Sequence, residues 1–321
     1  MNQPGVFRSC HRRSIALGLS VALAAFALGS MGDAMGQESS LTPNYPDLSS
    51  VPNDLVTPPM SQGQPAAGKR VRHQLDRFLK TDVYHALYLP ENWQANQTYP
   101  VIVEYAGNGP YENAIGDRCE GTVEGCNLGY GISGGVDFIW ICMPFVDAAH
   151  QQNQRQWWGD TEESVRYTLE AIEMVIEDFG GDPRNLFLCG FSRGSIACNY
   201  IGLHNDHIAE LWAGFICHSH YDGVRPWNYP GSDRESATKR LQRLGGRPQF
   251  ICQEKSVEVT RKYLAKVAPE GDFEFHRVPF RNHSDQWVLR DIPLRDQVRH
   301  WIRRTLHGKE TRDHLPATTN R

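Results

Sequence analysis

The stretch Asn185-Leu186-Phe187-Leu188-Cys189-Gly190-Phe191-Ser192-Arg193-Gly194-Ser195-Ile196-Ala197-Cys198 decides how this chain folds. An apolar run ends in Gly-Phe-Ser-Arg-Gly and passes directly into a helix-like pattern. That order predicts a strand, a sharp turn carrying Ser192, and a helix whose N-terminus faces the reacting group. Glycines at 190 and 194 suit such a turn, because side chains there would strike the neighbouring strand and helix. The turn would lift the Ser192 hydroxyl above the sheet and aim the Arg193 backbone N–H at a developing oxyanion. The five-residue pattern alone is weak and also fits a structural Gly-rich turn. The strand before it and the helix after it make Ser192 a candidate nucleophile.

Working outward, residues 82–89 alternate like a strand, while 100–105 and 138–144 are continuous apolar runs. Continuous runs imply strands covered on both faces, hence a mostly parallel sheet. Asp160-Thr161-Glu162-Glu163 reads as a capping box opening an amphipathic helix through residue 179, ended by Gly180-Gly181-Asp182-Pro183. Further strands are expected at 211–217, 249–252 and 273–278, with a helix capped by Ser256 and a last helix over 294–306. Strands alternating with helices predict α/β architecture: one doubly wound, mostly parallel sheet over residues 70–309, with right-handed crossovers.

Outside that domain, Arg8, Arg12 and Arg13 precede a short apolar run and then small residues through Gly36. This is the pattern of a secretory signal peptide over 1–36, which implies an exported protein, periplasmic or secreted, with no membrane anchor after cleavage. Residues 37–69 read as a flexible Ser/Pro/Gln-rich linker, and 310–321 as a disordered tail. The net charge of −4 over 321 residues gives no reason to expect nucleic acid or an anionic membrane as partner, and a monomer is expected. Of the eight cysteines, Cys119 and Cys126 flank a short Gly-containing loop, and an oxidising compartment predicts a disulfide between them. Cys142, Cys189, Cys198, Cys217 and Cys252 lie in apolar patterns and read as small buried hydrophobes.

A serine nucleophile needs a base beyond the last strand. His283 sits in the polar loop Arg281-Asn282-His283-Ser284 after that strand and before the last helix, where an imidazole can reach Ser192. A second oxyanion N–H is expected from Ala106-Gly107-Asn108-Gly109, with Gly107 and Asn108 as candidates beside Arg193.

The strand followed by Ala-Gly-Asn-Gly, the Gly-Phe-Ser-Arg-Gly turn and the Asn-His before a last helix resemble a secreted α/β-hydrolase. The similarity is greatest to the carbohydrate-esterase and polyhydroxybutyrate-depolymerase group, which includes feruloyl and acetylxylan esterases. It covers residues 70–307 on three short motifs, and implies ester hydrolysis through an acyl-serine, without cofactor or metal, on a small-molecule or polymeric ester. Two departures stand out. Tyr105-Ala106-Gly107 replaces the usual His-Gly-Gly, and Arg193 stands where these esterases carry an uncharged residue. An arginine after the serine is similar to glucuronoyl esterases; it could stabilise negative charge, hold a substrate carboxylate, or form a salt bridge to the scaffold. The third member of the triad stays open. Glu254, in Glu254-Lys255-Ser256-Val257, matches the relatives' Asp-x-Ser-Val, while Asp222 follows the preceding strand as in glucuronoyl esterases; Glu258 is a further candidate.

Trp157, Trp158, His218, His220 and Tyr221 lie in loops expected on the same side of the sheet and are candidate substrate contacts; the tryptophans could equally fold into the domain's edge. The His218-Ser219-His220 pair with His204 and His207 lacks any metal-ligand spacing. A serine peptidase of the same fold and a catalytically silent glycan-binding module remain as alternatives.

Overall fold

The computed structural model describes residues 45–313 of the 321-residue chain, with side chains described to residue 306. The signal peptide read at 1–36, residues 37–44 of the expected linker and residues 314–321 of the expected tail lie outside the described residues.

Nine strands form the main sheet among the described residues: β1 (Met60–Ser61), β2 (Arg70–His73), β3 (His85–Tyr88), β4 (Tyr99–Tyr105), β5 (Ile139–Met143), β6 (Gly181–Phe191), β7 (Trp212–His218), β8 (Gln249–Gln253) and β9 (Phe273–Arg277). Their spatial order is β1-β2-β3-β5-β4-β6-β7-β8-β9. Only β3 runs against its neighbours, β2 and β5; every other pairing is parallel. Around the sheet lie α1 (Leu128–Ser133), α2 (Thr161–Phe179), α3 (Arg193–Tyr200), α4 (Asp206–Ala209), α5 (Arg234–Leu241), α6 (Glu258–Val267) and α7 (Pro293–Asp313). This is the single α/β domain with a mostly parallel sheet that the alternation of strands and helices implies.

The continuous apolar runs are buried on both faces. Val101, Ile102 and Val103 of β4 and Leu186, Phe187 and Leu188 of β6 are each 0% exposed. Leu186 and Leu188 pack with Val175 and Ile196 on one side, and Phe187 with Trp301 of α7 on the other. Each such side chain contributes roughly 1.5–3 kcal/mol on burial, which makes these central strands the rigid base of the site. The predicted cap of α2 forms, with Asp160 Oδ1 accepting from Glu163 N at 2.9 Å. Glu163 does not close the box; its carboxylate pairs with Arg77 and Arg166.

Three boundaries and one expected disulfide differ from the sequence reading. Residues 45–69 are packed onto the domain and are not a loose linker. β1 adds to the sheet beside β2, Leu48 is buried, and Leu48 N donates to Asn282 Oδ1 at 2.7 Å. The part around residues 47–54 is ordered by partners more than 200 positions away, so it needs no periodicity of its own. α7 runs to Asp313, past the boundary drawn at 309. Ser256 lies one residue outside the cap of α6, its Oγ accepting from Glu258 N at 3.2 Å. Finally, Cys119 and Cys126 are both free thiols. The turn Val123–Gly125 carries Cys126 inward against Cys142 of β5, while Cys119 Sγ stays beside Gly107.

Candidate active site

β6 delivers Ser192 at its carboxyl end, in register with Tyr105 of β4 and with Cys217 and His218 of β7. Ser192 has φ 56° and ψ −112°, a backbone conformation that side-chain-bearing residues rarely adopt and that costs on the order of 1–3 kcal/mol. The flanking glycines make the turn possible. A Cβ at Gly190 would lie 2.2 Å from the Gly194 backbone, and one at Gly194 would lie 1.9 Å from the Tyr105 carbonyl oxygen. Ser192 N donates to His218 O at 3.0 Å and fixes the turn against β7.

Three side chains from the ends of three strands then meet. His283 Nε2 lies 3.0 Å from Ser192 Oγ, and His283 Nδ1 lies 3.1 Å from Glu254 Oε1. Glu254 follows β8 directly, and His283 enters on the loop after β9. Burial raises the Glu254 pKa, but the hydrogen bond from His283 and the neighbouring imidazoles outweigh it and bring it down to about 2. Glu254 is therefore a carboxylate at neutral pH, suited to orient an imidazole and stabilise its charged form.

Asp222 and Glu258 are not brought to His283. Tyr221 turns into the core, its hydroxyl donating to Gln249 Oε1 at 2.5 Å, and this draws Asp222 inward with it. Both carboxylate oxygens of Asp222 accept from Arg240, at 2.9 and 3.1 Å. Glu258 faces outward on α6 and pairs with Arg261 at 3.3 Å.

Arg193 heads α3, where backbone N–H groups lack intrahelical acceptors, so its N–H is free for an oxyanion. Its side chain does not face a substrate. The guanidinium is 1% exposed, lies over the Phe145 ring at 4.0 Å, and donates to Gly107 O at 2.8 Å, Trp157 O at 2.5 Å and Ala106 O at 3.4 Å. Burial lowers its pKa to about 9. The arginine is bound to the scaffold, but through three carbonyl groups and not through the salt bridge expected from the sequence. Asn108 adds a second tie, its Oδ1 accepting from Trp157 N at 2.7 Å. The oxyanion turn and the Trp157 loop are thus bound into one unit.

The five expected substrate contacts divide. His220 faces the nucleophile, its Nδ1 3.3 Å from Ser192 Oγ. Trp157 stays partly buried in an aromatic wall with Trp227 and Tyr229, at centroid distances of 5.4 and 5.2 Å. Trp158, Tyr221 and His218 are core residues. Trp158 stacks on Tyr200, and His218 is held between the carbonyls of Cys252 and Ser284. Aromatic rings with an apolar body pack inward when a facing ring is present, and the sequence did not reveal that pairing. His204 pairs with Glu162, so the histidines at 204, 218 and 220 have separate partners.

Two supports had no signal in the sequence. Ser219, at φ 85°, places its hydroxyl 2.8 Å from His283 Nδ1. Asp117 Oδ1 accepts from His283 N at 2.7 Å, while Asn282 donates to Ile115 O, so the catalytic loop is tied to the segment after the oxyanion turn.

No family model and no curated protein matches the chain. Solved structures similar to it include a thermostable esterase, at 12% identity and a TM-score of 0.47, over 73% of this chain and 61% of that one. An isopeptidase aligns at 12% identity and a TM-score of 0.47, over 75% and 40% of the two chains. A sugar hydrolase from Lactococcus lactis aligns at 12% identity and a TM-score of 0.48, over 75% and 99%. The match spans less than two thirds of the first two proteins.

Proposed function

We propose that this chain is a serine hydrolase that cleaves carboxylic esters through an acyl-Ser192 intermediate. The observation that carries the reading is the relay of Ser192 Oγ, His283 and Glu254 at 3.0 and 3.1 Å on a strained turn. In this mechanism Ser192 Oγ attacks the ester carbonyl while His283 Nε2 takes its proton, and Glu254 stabilises the resulting imidazolium. The oxyanion receives the Arg193 N–H and a backbone N–H from Gly107–Asn108. His283 then protonates the departing alcohol oxygen, and water releases the acid by the same steps in reverse.

The finer reading is an exported esterase acting on a carbohydrate-linked or polymeric ester. The basic, apolar and small-residue order of 1–36 supports export, and the aromatic wall of Trp157, Trp227 and Tyr229 supports a cyclic substrate. Hydrolysis of p-nitrophenyl acetate and butyrate, with fluorophosphonate labelling, tests the hydrolase reading against Ser192→Ala. Turnover and labelling lost together in the variant are expected. Neither signal in the folded wild-type protein would overturn the reading, and faster cleavage of a matched amide would replace esterase with peptidase.

A further inference from the structure

Next to the nucleophile, His220 packs edge-on against Trp227 at a centroid distance of 5.2 Å. The guanidinium of Arg225 lies over that same indole, 3.6 Å from its centroid. Arg225 is exposed, and among the described residues it has no carboxylate partner. Asp222, three positions earlier, is buried and engaged on both oxygens by Arg240. Arg234 adds a second cation to the loop, donating to the carbonyls of Gly223 and Val224. Asp233 and Glu235 flank Arg234 on α5, so the unpaired cation of this loop is Arg225, in a chain whose net charge is −4.

We propose that Arg225, seated on Trp227 beside His220, is an anion-accepting subsite, and that the ester cleaved at Ser192 carries a carboxylate. The inference rests on the hydrolase reading and names the class of its substrate. Stacking on an indole fixes the plane of a guanidinium while leaving its in-plane N–H fork free, the geometry that receives a carboxylate. An unpaired cation at the mouth of a site also raises the local concentration of anionic substrate. Arg193 could not serve, since its donors are spent on buried carbonyls. The influence of Arg225 already reaches the reaction centre. Burial first, then the charges of His283 and Arg225, acting against Glu254, push His220 down to about 3, so that it stays neutral beside the serine.

The test compares 4-nitrophenyl hemiglutarate with 4-nitrophenyl pentanoate, matched in acyl length and differing in one carboxylate, on the full chain. The wild-type protein is expected to favour the anionic ester in kcat/KM. Arg225→Gln should lower the anionic-to-neutral ratio about 10-fold, Arg225→Lys should keep most of it, and added salt should shrink it. A wild-type ratio near one, or a ratio unchanged by Arg225→Gln, overturns the subsite. Damage to the fold lowers both rates together and leaves the ratio alone. Should Ser192 label but neither ester turn over, the labelling rates of a carboxylate-bearing and a neutral fluorophosphonate give the same ratio and decide in the same way. Absence of both labelling and turnover overturns the hydrolase reading itself, and the subsite with it.

Discussion

The Ser219 hydroxyl lies 2.8 Å from His283 Nδ1, nearer than the 3.1 Å of Glu254 Oε1. In the tautomer that carries its proton on Nδ1, leaving Nε2 to face Ser192, this N–H has two acceptors, one neutral and one charged. Ser219 reaches this position only with φ at 85°, a conformation costing on the order of 1–3 kcal/mol in a residue bearing a side chain. Ser219 N also donates to Cys252 O at 2.8 Å, so β8 holds the strained residue in place. On the proposed mechanism Ser219 is a positioning residue, its contact at 2.8 Å favouring the Nδ1–H tautomer of His283.

Ser219→Ala is expected to lower kcat about 3- to 10-fold with KM nearly unchanged, since it removes one acceptor and leaves Glu254. In a double-mutant cycle with Glu254→Gln the losses should be non-additive, because both residues act on the same N–H. Strict additivity would remove Ser219 from the relay.

Glu254→Gln should reduce kcat by about 10³- to 10⁴-fold, the scale seen when a triad acid loses its charge. Asp222→Asn should act on stability, lowering Tm by leaving Arg240 buried without its counter-charge, a loss of about 3–5 kcal/mol. Kinetics and thermal melts on the two variants check the assignment; a larger kcat loss in Asp222→Asn would reverse it.

Arg193→Met removes three donors from the carbonyls of Ala106, Gly107 and Trp157. With the oxyanion turn released, kcat should fall about 100-fold, the loss expected when one oxyanion donor is misplaced. Fluorophosphonate labelling should slow in parallel. Unchanged kinetics would show that the turn holds its geometry without the clamp.

Asp285, two residues beyond His283, has its pKa raised from 3.8 to about 8, by burial first and the Glu104 charge second. Below pH 3.8 the folded and unfolded chains both hold this proton. Between there and about pH 8 only the folded chain keeps it, so this group lowers stability as pH rises and its effect levels off above pH 8. Asp285→Asn can still accept from Asn127 and lacks this slope. The gain in Tm over wild type should be small at pH 4 and grow to the equivalent of a few kcal/mol at pH 8. A gap independent of pH would contradict the raised pKa.

Much of the sheet was legible because its central strands are read by burial alone. Stretches such as 101–103 and 186–191 have no polar face, and only a sheet covered on both sides accommodates them. The Gly190 and Gly194 spacing marked the turn because any Cβ there meets backbone at about 2 Å. Ser192 and His283 followed from chain order, one after the central strand and one after the last.

Chain order could not choose between Glu254 and Asp222, since both follow a strand at the same end of the sheet. The choice was made by tertiary contacts: Tyr221 is buried on Gln249 of β8, and the adjacent Asp222 is paired with Arg240 of α5, away from His283. Ser219, Asp117 and the packed segment from residue 45 have roles defined by partners far along the chain, and no local pattern announces them. By itself the sequence determined the architecture and the places of Ser192 and His283 in it, because burial and backbone sterics act locally. Only the tertiary structure decided which carboxylate completes the relay, which arginine is spent on the scaffold and which faces the solvent, because hydrogen-bond geometry is fixed only when distant segments meet.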